Sequence, residues 1–179
     1  METKYKRGEH FMKKKLAVIS GAGTAVICLI MNFFLIPKIE AGTNGVRCFD
    51  MNFLYGNETA REFLRLLTAD GRRTYLNIQL PLDFIYPVFY CVFFCLMIYM
   101  LSKGKKGLLV FPALLAVADY AENVCVEIIL RSSEPSDLLL TFASAATTVK
   151  TALMYITILI VIVLLIKYLV QKRKAKAQQ

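Results

Sequence analysis

The sequence predicts an all-α integral membrane protein, a four-transmembrane-helix antiparallel bundle with a short amphipathic helix in its first outer loop. Three observations predict it. The 179-residue chain is 57% hydrophobic and 20% charged, where a soluble domain is about half apolar and a quarter charged. The apolar excess is gathered into four runs, each near the ~20 residues that a helix needs to cross a ~30 Å hydrocarbon core. The basic residues, finally, collect on one side of those runs. Residues 1–179 make a single membrane domain, with no length left for a second.

The first span is 14–36, preceded by Lys13, Lys14 and Lys15 and ended by Pro37. A basic cluster before an apolar run is also the form of a secretion signal. Residues 16–36 are too long for an ordinary signal core, however, and no small-x-small cleavage pattern comes after them, so the span is read as retained. Ala17, Gly21 and Ala25 fall four apart on one face and would let another helix approach closely. The outer loop, 37–77, contains a short helix over 57–69. Thr59 followed by Glu62 makes a capping-box pattern, Gly71 is placed to end the helix, and Phe63, Leu64, Leu66 and Leu67 oppose Arg61, Glu62 and Arg65. Phe49, Met51, Phe53, Leu54 and Tyr55 suit a membrane surface, so the loop is expected to cap the outer end of the bundle.

The second span, 78–102, has Pro81 in its first turn, where a helix tolerates it, and Pro87 further in, where a kink is expected. The third is 107–131. The fourth, 136–170, is longer than the bilayer requires; residues 143–148 are small and weakly polar, and the second half is aliphatic. A basic cytoplasmic tail, 171–179, comes after it. The connections between the last three spans are a few residues long, which makes those helices antiparallel neighbours.

Charge sets the orientation. Lys4, Lys6, Arg7, Lys13–Lys15, Lys103, Lys105, Lys106 and the five basic residues from Lys167 to Lys176 share one side with only Glu2 and Glu9. On the other side seven basic residues meet seven acids. The chain is thus expected to be integral and multi-pass, with both termini in the cytoplasm and the plasma membrane as its location. The net charge of +9 is explained by attraction to anionic lipid, and no nucleic-acid partner is expected. Cys28, Cys91, Cys95 and Cys125 lie in apolar runs, Cys48 is alone in the outer loop, and the single histidine, His10, is in the basic N-terminal segment. No metal and no cofactor is expected.

The third span carries the chemistry. Asp119, Glu122, Asn123 and Glu127 are spaced to share one helical face. An acid at the centre of a membrane helix costs on the order of 2.5–3.5 kcal/mol, so this face must look into the bundle or a watery cavity. At ~1.5 Å per residue, Glu127 is the shallowest and Asp119 lies near the middle. Glu127 also precedes Arg131 by four, the favourable order for an ion pair. Asp83 enters from the same side on the second span, and Lys150, near Thr147 and Thr151, is the one intramembrane cation and the natural partner of Asp119 or Glu122. Four carboxylates facing one cation leave room for a cationic ligand or for protonated acids. A second group, Arg72 and Arg73 with Tyr86 and Tyr90, would clamp a lipid phosphate or neutralise Asp83.

No G-x-S-x-G, H-E-x-x-H, Walker or dinucleotide fingerprint is present. The leading expectation is a pocket open to the outer half of the bilayer that binds or moves a small amphipathic or cationic ligand, a lipid or an amine. Asp119, Glu122 and Asn123 would hold its polar group, and a carrier of this size would work as a homodimer. In size, span count, long outer loop and acids in the middle helices, the chain resembles the EXPERA-type proteins, the emopamil-binding and sigma-receptor-like group. The resemblance is one of layout, with no motif matched residue by residue. It implies an isomerase or sterol-binding protein in which Asp119 and Glu122 would shuttle a proton. A third alternative is an accessory subunit whose polar face meets a membrane partner protein; small residues pointing outward would favour it.

Overall fold

The computed structural model describes Glu2–Ala177. Met1, Gln178 and Gln179, and the side chains of residues 2–7 (Glu2, Lys4, Lys6 and Arg7 among them), His10, Lys176 and Ala177, lie outside the described set. The described residues are almost entirely helical, and none of them forms a strand. The order is α1 (Glu2–Ile30), a π-helical turn (Met31–Leu35), α2 (Ile36–Ile39), a 3₁₀ turn (Phe49–Met51), α3 (Asn57–Leu66) and α4 (Ala69–Thr74). A second π turn (Tyr75–Gln79) leads into α5 (Leu80–Leu101). After a 3₁₀ turn (Gly107–Leu109) come α6 (Val110–Arg131) and α7 (Asp137–Ala177).

Three stretches are long and apolar enough to cross a membrane: Phe11–Ile39, Ala69–Leu101 and Asp137–Ala175. The 22-residue α6 is interrupted by Asp119, Glu122 and Glu127. α1 packs along α5, α5 against α6 and α7, and α6 against α7; no comparable packing joins α1 to α7.

The element ends differ from the sequence reading in instructive ways. Pro37 does not end the first helix. It falls in the first turn of α2, directly after a π turn, where its missing N–H is not needed. Thr59 does not cap α3, because Gly56, directly before Asn57, holds the extended backbone that an N-cap requires. The side-chain cap belongs to Thr68, whose Oγ1 accepts from Gly71 N at 3.0 Å and starts α4. Gly71 therefore lies inside a helix rather than ending one. A Cβ there would sit 2.9 Å from the Ile39 carbonyl oxygen, so glycine allows α4 to approach α2. The second long helix accordingly begins at Ala69, well ahead of residue 78.

The small face of α1 is used, though in a shifted phase. Ala17 is buried, Ala25 is exposed, and the glycines face phenylalanines of α5: a Cβ at Gly23 would meet the Phe89 ring at 2.3 Å and one at Gly21 the Phe93 ring at 2.9 Å. Residues 40–68 do more than cover the bundle. Cys48, Phe49, Tyr55, Ala60 and Phe63 form the main core with Tyr75 of the second π turn, Val126 and Ile129 of α6 and Leu140 of α7. Met51, Phe53 and Leu54 remain exposed.

Candidate functional site

One lysine organises the interior. Lys150 of α7, only 17% exposed, places Nζ 3.5 Å from Asp119 Oδ1 and 3.9 Å from Asp50 Oδ1, and pairs with Glu122 Oε2. The three carboxylates come from α6 and from the 3₁₀ turn Phe49–Met51, so a loop residue reaches the same cation as two helix residues. Each carboxylate has a hydroxyl donor of its own. Tyr90 donates to Asp119 Oδ2 at 2.8 Å, Thr147 donates to Glu122 Oε1, and Tyr75 donates to Asp50 Oδ2. Buried ionic groups persist when paired and hydrogen-bonded in this way.

Asn123 is fixed by a different cause. Proline at position 87 has no N–H, so the Asp83 carbonyl, one turn earlier in α5, lacks its helical donor. Asn123 Nδ2 fills that place at 2.9 Å and ties α6 to α5. Beside it, Tyr120 donates to the Phe84 carbonyl at 3.1 Å. α5 runs through Pro87 without a break, stitched to α6 at the carbonyls around the proline.

A cavity of ≈ 250 Å³ adjoins Lys150. Its walls are Met31, Asn32 and Ile36 from the first π turn and α2, Asp50 and Met51 from the loop, Gln79, Asp83 and Tyr86 from the second π turn and α5, Asp119 from α6, and Lys150, Thr151, Met154 and Tyr155 from α7. Of these, Asn32 of the first π turn and Tyr155 of α7 are exposed.

The residues singled out from the sequence thus divide. Asp83, Asp119, Lys150 and Tyr86 line the cavity. Glu122, Asn123 and Tyr90 are buried behind them as partners. Glu127 pairs with Arg131 at 3.0 Å, half-buried at the end of α6 and away from the cavity. Arg73 is exposed; Arg72 donates to the Leu130 carbonyl at the C-terminus of α6. With Arg61, Arg65 and residues 132–136, Arg72 borders a separate groove of ≈ 540 Å³. Asp50 and Gln79 join the cavity without a signal in the sequence. Nothing in their local sequence marks them, because a loop turn and a helix start bring them in.

Among the described residues, no three of the His, Cys, Asp and Glu side chains form a group suited to a metal ion. The Cys48 thiol, fully buried, is pushed up well above its ordinary range, first by burial and then by Asp50 and Glu40 nearby. Compared with known protein families, curated proteins and solved structures, the chain matches none.

Proposed function

We propose that this is a four-span membrane protein, both termini cytoplasmic, whose cavity binds or moves a small amphipathic ligand with a cationic head, entering from the outer half of the bilayer. The observation that carries this reading is the charge balance of the cavity. Asp50, Asp83, Asp119 and Glu122 surround or approach a single cation, Lys150, so an added positive group is favoured there and an added negative one is not. Intramembrane ionisable clusters of this kind are costly to keep and mark ligand or ion paths.

The remaining surface supports membrane insertion. Phe33, Phe34, Val117, Tyr155 and Leu159 are each at least 60% exposed, more apolar surface than a water-soluble monomer ordinarily shows. α6 completes the fourth span because its polar face is turned onto α5 and α7, leaving Val117, Val124 and Ile128 outward. The small residues that would have served a partner helix are largely used within the chain. Gly21 and Gly23 meet Phe93 and Phe89, while Ala143, Ala146 and Thr147 are buried. This favours a ligand over a subunit partner.

Native mass spectrometry with lipid extraction tests the reading. The wild type is expected to carry a bound lipid or amine that the Asp119→Asn/Glu122→Gln variant loses. An equal load on both, or none on the wild type, would overturn it.

A further inference from the structure

Gln79 and Asp83 stand four residues apart, one turn, in the wall of the cavity. Gln79 is fully buried and Asp83 is 5% exposed. Among the described residues, neither Gln79 Nε2 nor Oε1 makes a hydrogen bond of good geometry, nor does Asp83 Oδ2, although the Gln79 amide lies close to the Asp83 carboxyl. Buried amide and carboxylate groups are rarely left this way, since each forfeits its hydrogen bonds to water. Tyr55 and Asn123 also hold an unpartnered buried atom, but they do not line the cavity. The other carboxylates that do line it, Asp50 and Asp119, are taken up by Lys150 and by tyrosine hydroxyls.

The backbone presents this pair. Gln79 closes the π turn Tyr75–Gln79, and the other π turn, Met31–Leu35, packs against it and supplies Met31 to the same cavity. One extra residue in a turn rotates the rest of the helix by about 100°, and such turns recur at functional sites. Here both π turns border one chamber.

Resting on the ligand-binding reading above, we infer that Gln79 and Asp83 form the head-group subsite of this cavity and that the ligand is a small primary amine. An ammonium group has three N–H donors and no acceptor. Two of them match Gln79 Oε1 and Asp83 Oδ2, and its charge sits beside a carboxylate that makes no ion pair among the described residues. A quaternary ammonium brings charge without donors, and an alcohol brings a donor without charge. An amino acid would need a second cation for its carboxylate, and Lys150 is already shared by three acids. The tail lies against Met31, Ile36 and Met154, of which the two methionines are flexible and adapt to different shapes. A chamber of ≈ 250 Å³ is below the ~300–1,000 Å³ of drug-sized sites, which restricts the ligand to a short chain or a single ring.

The test is calorimetric titration of the full chain in lipid nanodiscs with hexylamine, hexyltrimethylammonium and 1-hexanol, with the uptake of protein-free nanodiscs subtracted. The wild type is expected to bind hexylamine at least roughly tenfold more tightly than the other two, about the worth of one charge-assisted hydrogen bond. Asp83→Asn is expected to weaken hexylamine by a similar factor. Gln79→Met, which keeps length and removes the amide, narrows the preference for hexylamine over the quaternary probe. Unfolding midpoints establish that each variant is folded, and Gln79→Met carries the test if Asp83→Asn is not. If the wild type takes none of the probes, the ligand-binding reading fails and the subsite with it. If hexylamine binds the wild type and both variants alike, the cavity binds amines but the Gln79–Asp83 assignment is overturned.

Discussion

The two walls of the cavity are built from the same kinds of residue and use them in opposite ways. On the α6–α7 wall every acid is matched: Asp119 and Glu122 share Lys150, Thr147 of α7 donates to Glu122, and Tyr90 reaches across from α5 to Asp119. On the α5 wall Gln79 and Asp83 are as deeply buried, yet Asp83 Oδ2 and both ends of the Gln79 amide stand without a partner. Buried polar groups therefore do not all make one site. The matched wall ties helices together, and on the proposed function the unmatched wall is where a ligand would gain most from binding. The acids most conspicuous in the sequence, those of α6, belong mainly to the first wall.

The largest effect should come from removing the shared cation. Lys150→Met leaves Asp50, Asp119 and Glu122 uncompensated, which costs about 3–5 kcal/mol when a buried ion pair is broken on one side. Thermal unfolding in detergent should register this as a large drop or loss of folded protein; an unchanged midpoint would mean that the lysine does not hold the wall. Within the same matched set, Tyr90→Phe on α5 removes a hydrogen bond to the Asp119 carboxylate and should cost about 1.5–3 kcal/mol. Gln79→Met, by contrast, removes two polar atoms that have no hydrogen-bond partner among the described residues, and should be neutral or stabilising in the absence of ligand. Equal losses from the two variants would erase the distinction between matched and unmatched groups.

The joint between the walls gives a sharper test. Asn123→Ala leaves the Asp83 carbonyl without a donor and should cost about 1–3 kcal/mol. In a Pro87→Ala background the α5 helix regains its own N–H at that position, so the same substitution should cost less. A double-mutant cycle with no coupling would show that proline is not the reason for the asparagine.

The smallest effect concerns the loop. Cys48 is buried two residues from Asp50, and burial keeps its thiol protonated, so maleimide labelling of the folded wild type should be slow at neutral pH. Asp50→Asn weakens the tie to Lys150 and should speed labelling of Cys48 without changing the other cysteines. The raised thiol also sets a sign. Stability is unaffected below the ordinary thiol value of 9.0 and declines above it, because the unfolded chain loses that proton first. Cys48→Ala should remove this contribution from the alkaline unfolding profile.

Much of this arrangement can be read in the chain before folding, and the exceptions have physical reasons. The spacing of Asp119, Glu122 and Asn123 places them on one face because helical periodicity is local, and Lys150 stands out as the one cation within the apolar runs. Glu127 has the same spacing but lies at the helix end, where Arg131 takes it. Asp50 could not be found this way. It precedes Lys150 by a hundred residues, and only the packing of Phe49, Phe63 and Tyr75 brings its turn inward. Gln79 carries no charge and sits where hydropathy first suggests a helix start, so neither periodicity nor electrostatics marks it. The true start, ten residues earlier at Ala69, depends on which threonine has the extended backbone that a cap requires. Thr68 has it and Thr59 does not, a difference that residue identity alone does not decide.

The most direct measurement is the position of a bound amine. Crystals of the protein in lipidic mesophase, grown with 6-bromohexylamine, would locate the bromine by its anomalous signal. The expected result is a peak beside Met31, Ile36 and Met154, with the nitrogen between Gln79 and Asp83. A bromine in the Arg61–Arg72 groove, or an amine nitrogen seated at Asp119 with Gln79 and Asp83 untouched, would contradict the assignment.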